Sequence, residues 1–310
     1  MKKLVVSSSP HIHTPLSTRR VMLDVIIALL PAAVAGIVIF GMRALAVLCV
    51  TVATSVFSEF IFNAIVKKEQ TVDDLSAIVT GLLLGLNLRA DAPLWQCAIG
   101  AVFAIVVVKC LFGGLGCNFA NPAITARVFL VISFTSTIGG GAIPRLGDPM
   151  LVSGATPLEI IGTREELPSV LDMLLGLRSG AIGETCIIAL LIGFCYLVVR
   201  KIINFEIPLI FIGTVFLLYL IADTSFTVAL YQILSGGLVL GAVFMATDYV
   251  TTPITRSGKM IFAFGCGLIT FLIRYFGSYP EGVSYAILLM NILSPYIEKL
   301  TAPRALGGKK

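Results

Sequence analysis

Ten apolar stretches, five on either side of one long polar loop, constrain this chain more than any other feature. They fall at about 21–42, 44–66, 76–89, 93–113 and 121–136, then at 183–200, 206–222, 226–247, 259–276 and 283–300. A helix that crosses a bilayer core about 30 Å thick needs roughly 20 mostly apolar residues. Composition agrees: 57% of the 310 residues are hydrophobic and 13% are charged, where soluble proteins carry about 25% charge. The fold class expected is an all-α polytopic membrane protein with about ten transmembrane helices. Residues 1–20 hold Lys2, Lys3, Arg19 and Arg20 without an apolar core or cleavage site of their own, so they do not read as a cleaved signal peptide. The net charge of +5 reflects asymmetric loops around membrane lipid, not a nucleic-acid partner.

Basic residues orient the spans, because cytoplasmic loops are enriched in Lys and Arg. With a cytoplasmic N-terminus, the inner set includes Lys67, Lys68, Arg200, Lys201, Arg256, Lys259, Lys299, Arg304, Lys309 and Lys310; the outer set is Arg43, Arg89, Arg145, Arg164, Arg178 and Arg274. Both termini are then inside, and the long loop lies outside. The units expected are a cytoplasmic segment 1–20, a first five-helix repeat 21–136, an extracytoplasmic loop 137–182, a second repeat 183–300 and a basic cytoplasmic tail 301–310.

The two halves resemble each other. Gly81-Leu82-Leu83-Leu84-Gly85 recurs as Gly237-Leu238-Val239-Leu240-Gly241, and Phe112-Gly113-Gly114 as Phe276-Gly277-Ser278. Five spans per copy is an odd number, so the copies insert in opposite senses, an inverted 5+5 repeat with sites near the bilayer midplane. Broken half-helices are expected within it. The third span has only about 14 apolar residues, and the fifth opens on Asn121-Pro122, a cap followed by proline. Its roughly 16 residues span about 24 Å, short of the core.

Polar residues in such a chain need reasons. In the run 113–123, Gly116 lets a planar ligand approach, and Asn118 and Asn121 each offer a donor and an acceptor; alternatively the run is a turn whose asparagines cap the next helix. Glu59 lies within the second span, where a carboxylate costs about 2.5–3.5 kcal/mol. It faces a cation path or pairs with a base on a neighbouring helix. Asp248 ends the eighth span and is a second, weaker candidate; Asp24 reads as interfacial, as do Trp95, Tyr279 and Tyr285. The seven cysteines include no Cys-x-x-Cys and read as small buried hydrophobes, with Cys110 and Cys117 the candidates for a ligand shared with another subunit. His11 and His13 both precede the first span, which excludes bis-histidine haem in the membrane. In the long loop, Ser153-Gly154-Ala155-Thr156-Pro157-Leu158 leaves the Thr156 hydroxyl sterically open.

Four separated motifs, in order over essentially the whole chain, resemble the D component of the Rnf ion-pumping complexes and the homologous B component of the sodium-translocating NADH:quinone oxidoreductases. They are Ser153–Leu158, the Gly-rich run 113–123, Phe244-Met245-Ala246-Thr247-Asp248 and Tyr279-Pro280-Glu281-Gly282-Val283. The resemblance implies FMN linked through its phosphate to Thr156 of Ser153-Gly154-Ala155-Thr156 by a flavin transferase. It also implies a second, non-covalent flavin, riboflavin or FMN, at Gly116, Asn118 and Asn121, and a fold similar to urea and ammonium transporters. The acidic residue usual just before Ser-Gly-Ala-Thr has its nearest counterpart in Asp148, eight positions before Thr156, a departure from the pattern. The function implied is electron transfer across a prokaryotic cell membrane between ferredoxin and NAD⁺, coupled to Na⁺ or H⁺. The partners implied are subunits carrying iron–sulfur clusters and the NAD site, without which this chain catalyses nothing. The alternative on the same scaffold is a channel or transporter for a small neutral solute; a membrane anchor is third.

Overall fold

The computed structural model describes residues 17–142, 153–154, 158, 168–277 and 281–303. The first half is built from α1 (Thr18–Phe40), α2 (Met42–Val66), α3 (Ser76–Leu86), α4 (Leu94–Cys110) and α5 (Pro122–Ser133). Short helices α6 (Thr135–Ile138) and α7 (Val170–Leu175) follow in the connecting region, with strands β1 (Gly141–Ala142) and β2 (Ser153–Gly154) between them. The second half comprises α8 (Ile187–Val199), α9 (Glu206–Asp223), α10 (Phe226–Leu234), α11 (Leu238–Met245), α12 (Arg256–Phe276) and α13 (Val283–Thr301).

α1 shows why these helices form and how they face. Ser17 caps it by accepting from the Arg20 N–H, and Leu23, Leu30, Val34 and Val38 leave an apolar stripe on the outside. Its inner face holds Ala28, Leu29, Ala32 and Gly36. An outward apolar stripe is the inverse of a soluble helix, as lipid demands. Small residues let α1 meet α8 closely: a Cβ on Gly193 would stand 2.2 Å from the Ala28 carbonyl oxygen, the small-residue contact that membrane helices favour.

α1, α2, α9 and α12 are each long and apolar enough to cross a membrane, and α10 with α11 makes a fifth crossing bent by 64°. α3, α4, α5 and α8 are shorter apolar helices. This is a polytopic helical membrane protein. The same packing recurs in both halves: α2 lies on α3 and α4, and α9 on α10 and α12, while α1–α8 and α5–α13 join the halves. Both α4 and α11 contain π-helical turns, at Phe103–Cys110 and Gly241–Met245, a distortion often found at functional sites.

Asp24, near the start of α1, is buried in the protein, accepting from the Tyr196 hydroxyl at 2.8 Å and pairing with Arg200 at 3.0 Å. The carboxylate is tolerated because α8 ends with its counter-ion alongside. The cysteines also divide: Cys97, Cys110 and Cys266 are buried, whereas Cys49, Cys117 and Cys195 are exposed.

Candidate functional site

A cleft of about 780 Å³, its open mouth included, enters the molecule at the end where α1 and α3 begin and α4 and α8 finish. Its polar lining is Ser76, Lys109, Asn118, Asn121, Thr247 and Asp248. Val79, Leu83 and Phe244 supply apolar wall.

The floor is set by the start of α5. Asn121 caps that helix, its Oδ1 accepting from the Ala123 and Ile124 N–H groups at 3.0 and 3.4 Å, and Pro122 fixes the first turn. The Asn121 Nδ2 reaches across to the Met245 carbonyl at 3.4 Å. Asn118 donates to the Ala120 carbonyl at 3.0 Å. Gly116 stands in the turn ahead of them at φ +92° with nothing near a would-be Cβ. Its conformation is one that glycine adopts without strain, and it lies outside the cleft lining.

Behind one wall lies a buried ion pair. Lys109 Nζ donates to Glu59 Oε1 at 2.8 Å and to Ser76 Oγ at 2.6 Å, and both ionic side chains are 2% exposed. The Thr71 hydroxyl adds a third bond, 2.7 Å to Glu59 Oε1, while Oε2 has no partner among the described residues. Glu59 thus reaches the cleft only through Lys109. Asp248 lines the cleft directly. Its Oδ2 accepts from the Thr251 hydroxyl at 3.1 Å, no base pairs with it among the described residues, and burial raises its carboxyl above the usual range.

Beneath the cleft floor sits a second polar group. Arg127 of α5 donates to Glu184 Oε1 at 2.8 Å, to the Asn87 carbonyl at 2.7 Å and to Asn87 Oδ1 at 2.6 Å, and it also pairs with Glu281. Gly237 makes room, since a Cβ there would stand 2.5 Å from Glu184 Oε1. Asn87 Nδ2 also lies 3.5 Å from Met245 Sδ. Asn87, Asn121 and Met245 therefore form a neutral partition between the two polar levels.

Asn118, Asn121 and Asp248 come together in one cleft, with Glu59 behind it. Ser153 and Gly154 lie elsewhere, in β2, and Leu158 packs by Gly236 at the far end of α11. Ala155, Thr156 and Asp148 fall outside the described residues. Lys109, Arg127, Glu184 and Glu281 escaped the sequence reading as site residues. A charge inside an apolar run is itself a functional signal, and Lys109 and Arg127 both carry it.

Comparison with known proteins follows the same length of chain. Residues 5–307 match the model of the NQR2, RnfD, RnfE family. The D component of the Na⁺-translocating ferredoxin:NAD⁺ oxidoreductase complex of Acetobacterium woodii is 48% identical, covering 99% of this chain and 96% of the relative. The D component of the proton-translocating complex of Clostridium ljungdahlii is 40% identical over 98% and 96%. The D component of the ion-translocating oxidoreductase complex of Stutzerimonas stutzeri is 37% identical over 94% and 92%.

Proposed function

We propose, because the chain belongs to the NQR2, RnfD, RnfE family, that it is the membrane electron-carrying subunit of an Rnf-type complex, an ion-translocating ferredoxin:NAD⁺ oxidoreductase. The observation that carries the reading is the match over nearly the full length to the D component of such complexes. Those two relatives are named for Na⁺ and for protons, so the coupled ion is one of these. The iron–sulfur clusters and the NAD site belong to partner subunits.

The lining of the cleft supports one flavin, and the Ser-Gly-Ala-Thr motif supports a second. In the cleft, Val79, Leu83 and Phe244 offer apolar faces to an isoalloxazine ring, and Asn118 and Lys109 offer polar groups to its pyrimidine edge. A flavin bound there supplies reversible one- or two-electron transfer. Gly116 shapes the turn that presents Asn118, and Asn121 holds the floor against Met245. Thr156 carries the second flavin as FMN in phosphoester linkage, installed by a flavin transferase. Ser153, Gly154 and Ala155 are the small residues that precede it in the motif, and Asp148, eight positions before Thr156, is further along the chain than the usual acidic residue.

Orientation follows from the basic residues: the cleft opens to the cytoplasm and the Thr156 loop lies on the outer face of the cell membrane. Packing common to both halves supports an inverted repeat, similar to urea and ammonium transporters. Asp248, with no counter-ion among the described residues, takes up a proton or cation at the cleft mouth, and Glu59 Oε2, without a partner among the described residues, is a second acceptor. The partition of Asn87, Asn121 and Met245 argues against an open solute channel.

The test is a denaturing gel under ultraviolet light. The chain is coexpressed with its flavin transferase beside Thr156→Ala. A fluorescent wild-type band that vanishes in the variant is expected. A dark wild-type band, with the transferase active on a control substrate, refutes the reading.

A further inference from the structure

A second pocket of about 780 Å³, its open mouth included, lies beside the cleft. It is walled by the turn after α8, the start of α9, the segment after α11 and the first turn of α12. The two share Ile202, Ile203, Thr247 and Tyr249. The Tyr249 hydroxyl donates to the Ile202 carbonyl, and the Thr252 hydroxyl to the Asp248 carbonyl. The common wall is therefore tied into both neighbouring turns.

Lys201 and Lys259 both line this pocket. Basic residues gather on the cytoplasmic side of membrane proteins, and here they fall into two classes. Arg200 pairs with Asp24, and Arg256 with Glu206. Lys201, next to Arg200, and Lys259, one turn beyond Arg256, form no ion pair among the described residues. Nor does the sequence offer another partner at this end, since residues 1–16, 278–280 and 304–310 contain no Asp or Glu. The remaining acidic residues, Asp148, Glu159, Glu165 and Glu166, neighbour Ser153, Leu158 and Pro168 in sequence. Leu158 and Pro168 meet Gly236 and Tyr231, ahead of α11, whereas the pocket lies beyond its end. Two ammonium groups on one concave surface call for an anion between them.

The rim says what carries that anion. Ile254 lines the pocket and is 77% exposed. Phe205 and Leu209, on either side of the lining residue Ile207, are 57% and 66% exposed. This apolar edge continues into the outward stripe of α9, where Leu217 and Ile221 are also exposed. A soluble anion leaves such an edge uncovered, whereas a lipid covers it with its acyl chain. Basic pockets between membrane helices on the cytoplasmic side take up phosphate headgroups in this way.

We propose that this pocket binds the phosphate of an anionic phospholipid. Lys201 and Lys259 hold the phosphate oxygens, Asn204 offers its amide to the headgroup, and the acyl chain runs along Ile254 and Leu209. A zwitterionic headgroup brings an ammonium of its own, which the two lysines repel. Thr247 and Tyr249 stand on either side of Asp248 in sequence, so the bound headgroup braces the strip of chain that carries this carboxylate into the neighbouring cleft.

The test uses the purified full-length chain in neutral detergent, titrated with phosphatidylglycerol or with phosphatidylcholine of the same acyl chains. Bound lipid is counted by native mass spectrometry, and thermal unfolding is followed in parallel. Phosphatidylglycerol is expected to bind at least about tenfold more tightly than phosphatidylcholine. A basic residue at an anionic lipid surface contributes roughly fivefold in affinity. Lys201→Gln or Lys259→Gln therefore weakens phosphatidylglycerol binding by about fivefold, and the double variant by about 25-fold. Lys68→Gln, a basic residue outside the pocket lining, leaves it unchanged. Equal binding of the two lipids overturns the proposal. A loss in Lys68→Gln as large as in the double variant does so too, because the effect is then one of general surface charge. Glycerol 3-phosphate that stabilises the chain as strongly as phosphatidylglycerol, and loses this effect in the double variant, assigns the pocket to a soluble phosphate ester and overturns the lipid.

Discussion

Removing Glu59 from its pair with Lys109 has a calculable consequence. The two side chains are each 2% exposed and 2.8 Å apart, and the remaining bond of Lys109 runs to the neutral Ser76 hydroxyl. Glu59→Gln therefore strands a buried ammonium. Breaking one side of such a pair costs about 3–5 kcal/mol, whereas replacing both sides with neutral groups of similar volume is often neutral or stabilising. Glu59→Gln alone loses about 3–5 kcal/mol, and Glu59→Gln with Lys109→Met returns to within about 1 kcal/mol of wild type. Trp95 is the only tryptophan and stacks edge-on with Phe134 at 5.3 Å, so its fluorescence reports unfolding in detergent. A single variant within about 0.5 kcal/mol of wild type, or a double variant worse than the single, refutes the account. Ion-coupled transport on the same variants separates the roles: Glu59→Gln that folds and still couples undiminished removes Glu59 from the ion path.

Arg127→Gln leaves Glu184 and Glu281 facing each other without their shared cation and lowers stability by about 3–5 kcal/mol, read by the same fluorescence titration. Asp248 has its carboxyl raised by burial, so the folded state holds a proton that the unfolded state releases. Stability contributed there is present below the ordinary value near 3.8 and falls as pH rises from that value through the raised one. Asp248→Asn flattens this slope and stabilises the protein at neutral pH; an unchanged slope across that window counts against it. Gly193→Ala places a methyl 2.2 Å from the Ala28 carbonyl oxygen and, by forcing α1 off α8, costs about 1–3 kcal/mol in thermal unfolding.

Segments whose information is local were legible. The Asn121-Pro122 cap marks the start of α5 to the residue, because a cap and a first-turn proline act within one turn. The short third segment was equally plain, and α3 is 11 residues long. Pairings between distant residues were not. Glu59 was singled out, with a base on a neighbouring helix as one of its two readings, but Lys109 stands 50 positions away and nothing local selects it. Glu184 and Glu281 are further from Arg127, at 57 and 154 positions, and only the packing of α5 on α13 brings the last pair together. The partner of Asp24 was hidden for the same reason: Arg200 lies 176 residues on.

The short helices explain why two polar levels fit inside one bilayer-spanning body. α3 rises about 16 Å and α5 about 18 Å, each well under a core of about 30 Å. Backbone that is not helical at such depth must be satisfied by protein or by a water-filled cavity. Beyond the end of α3, Arg127 serves the Asn87 carbonyl. Ahead of α5, Asn118 serves Ala120 and Asn121 serves the helix itself. The cleft and the Arg127 group thus lie on either side of Asn87, Asn121 and Met245. Two amides and a thioether carry no charge, so an ion crossing this layer must leave its hydration and find no counter-charge in the partition. Asn87→Asp places a carboxylate against Met245 and Arg127, and the expected outcome is cation leakage in proteoliposomes without electron input. Asn87→Leu, which keeps the layer uncharged, is expected to remain tight. Equal leakage from both variants would mean that packing, not charge, seals the partition.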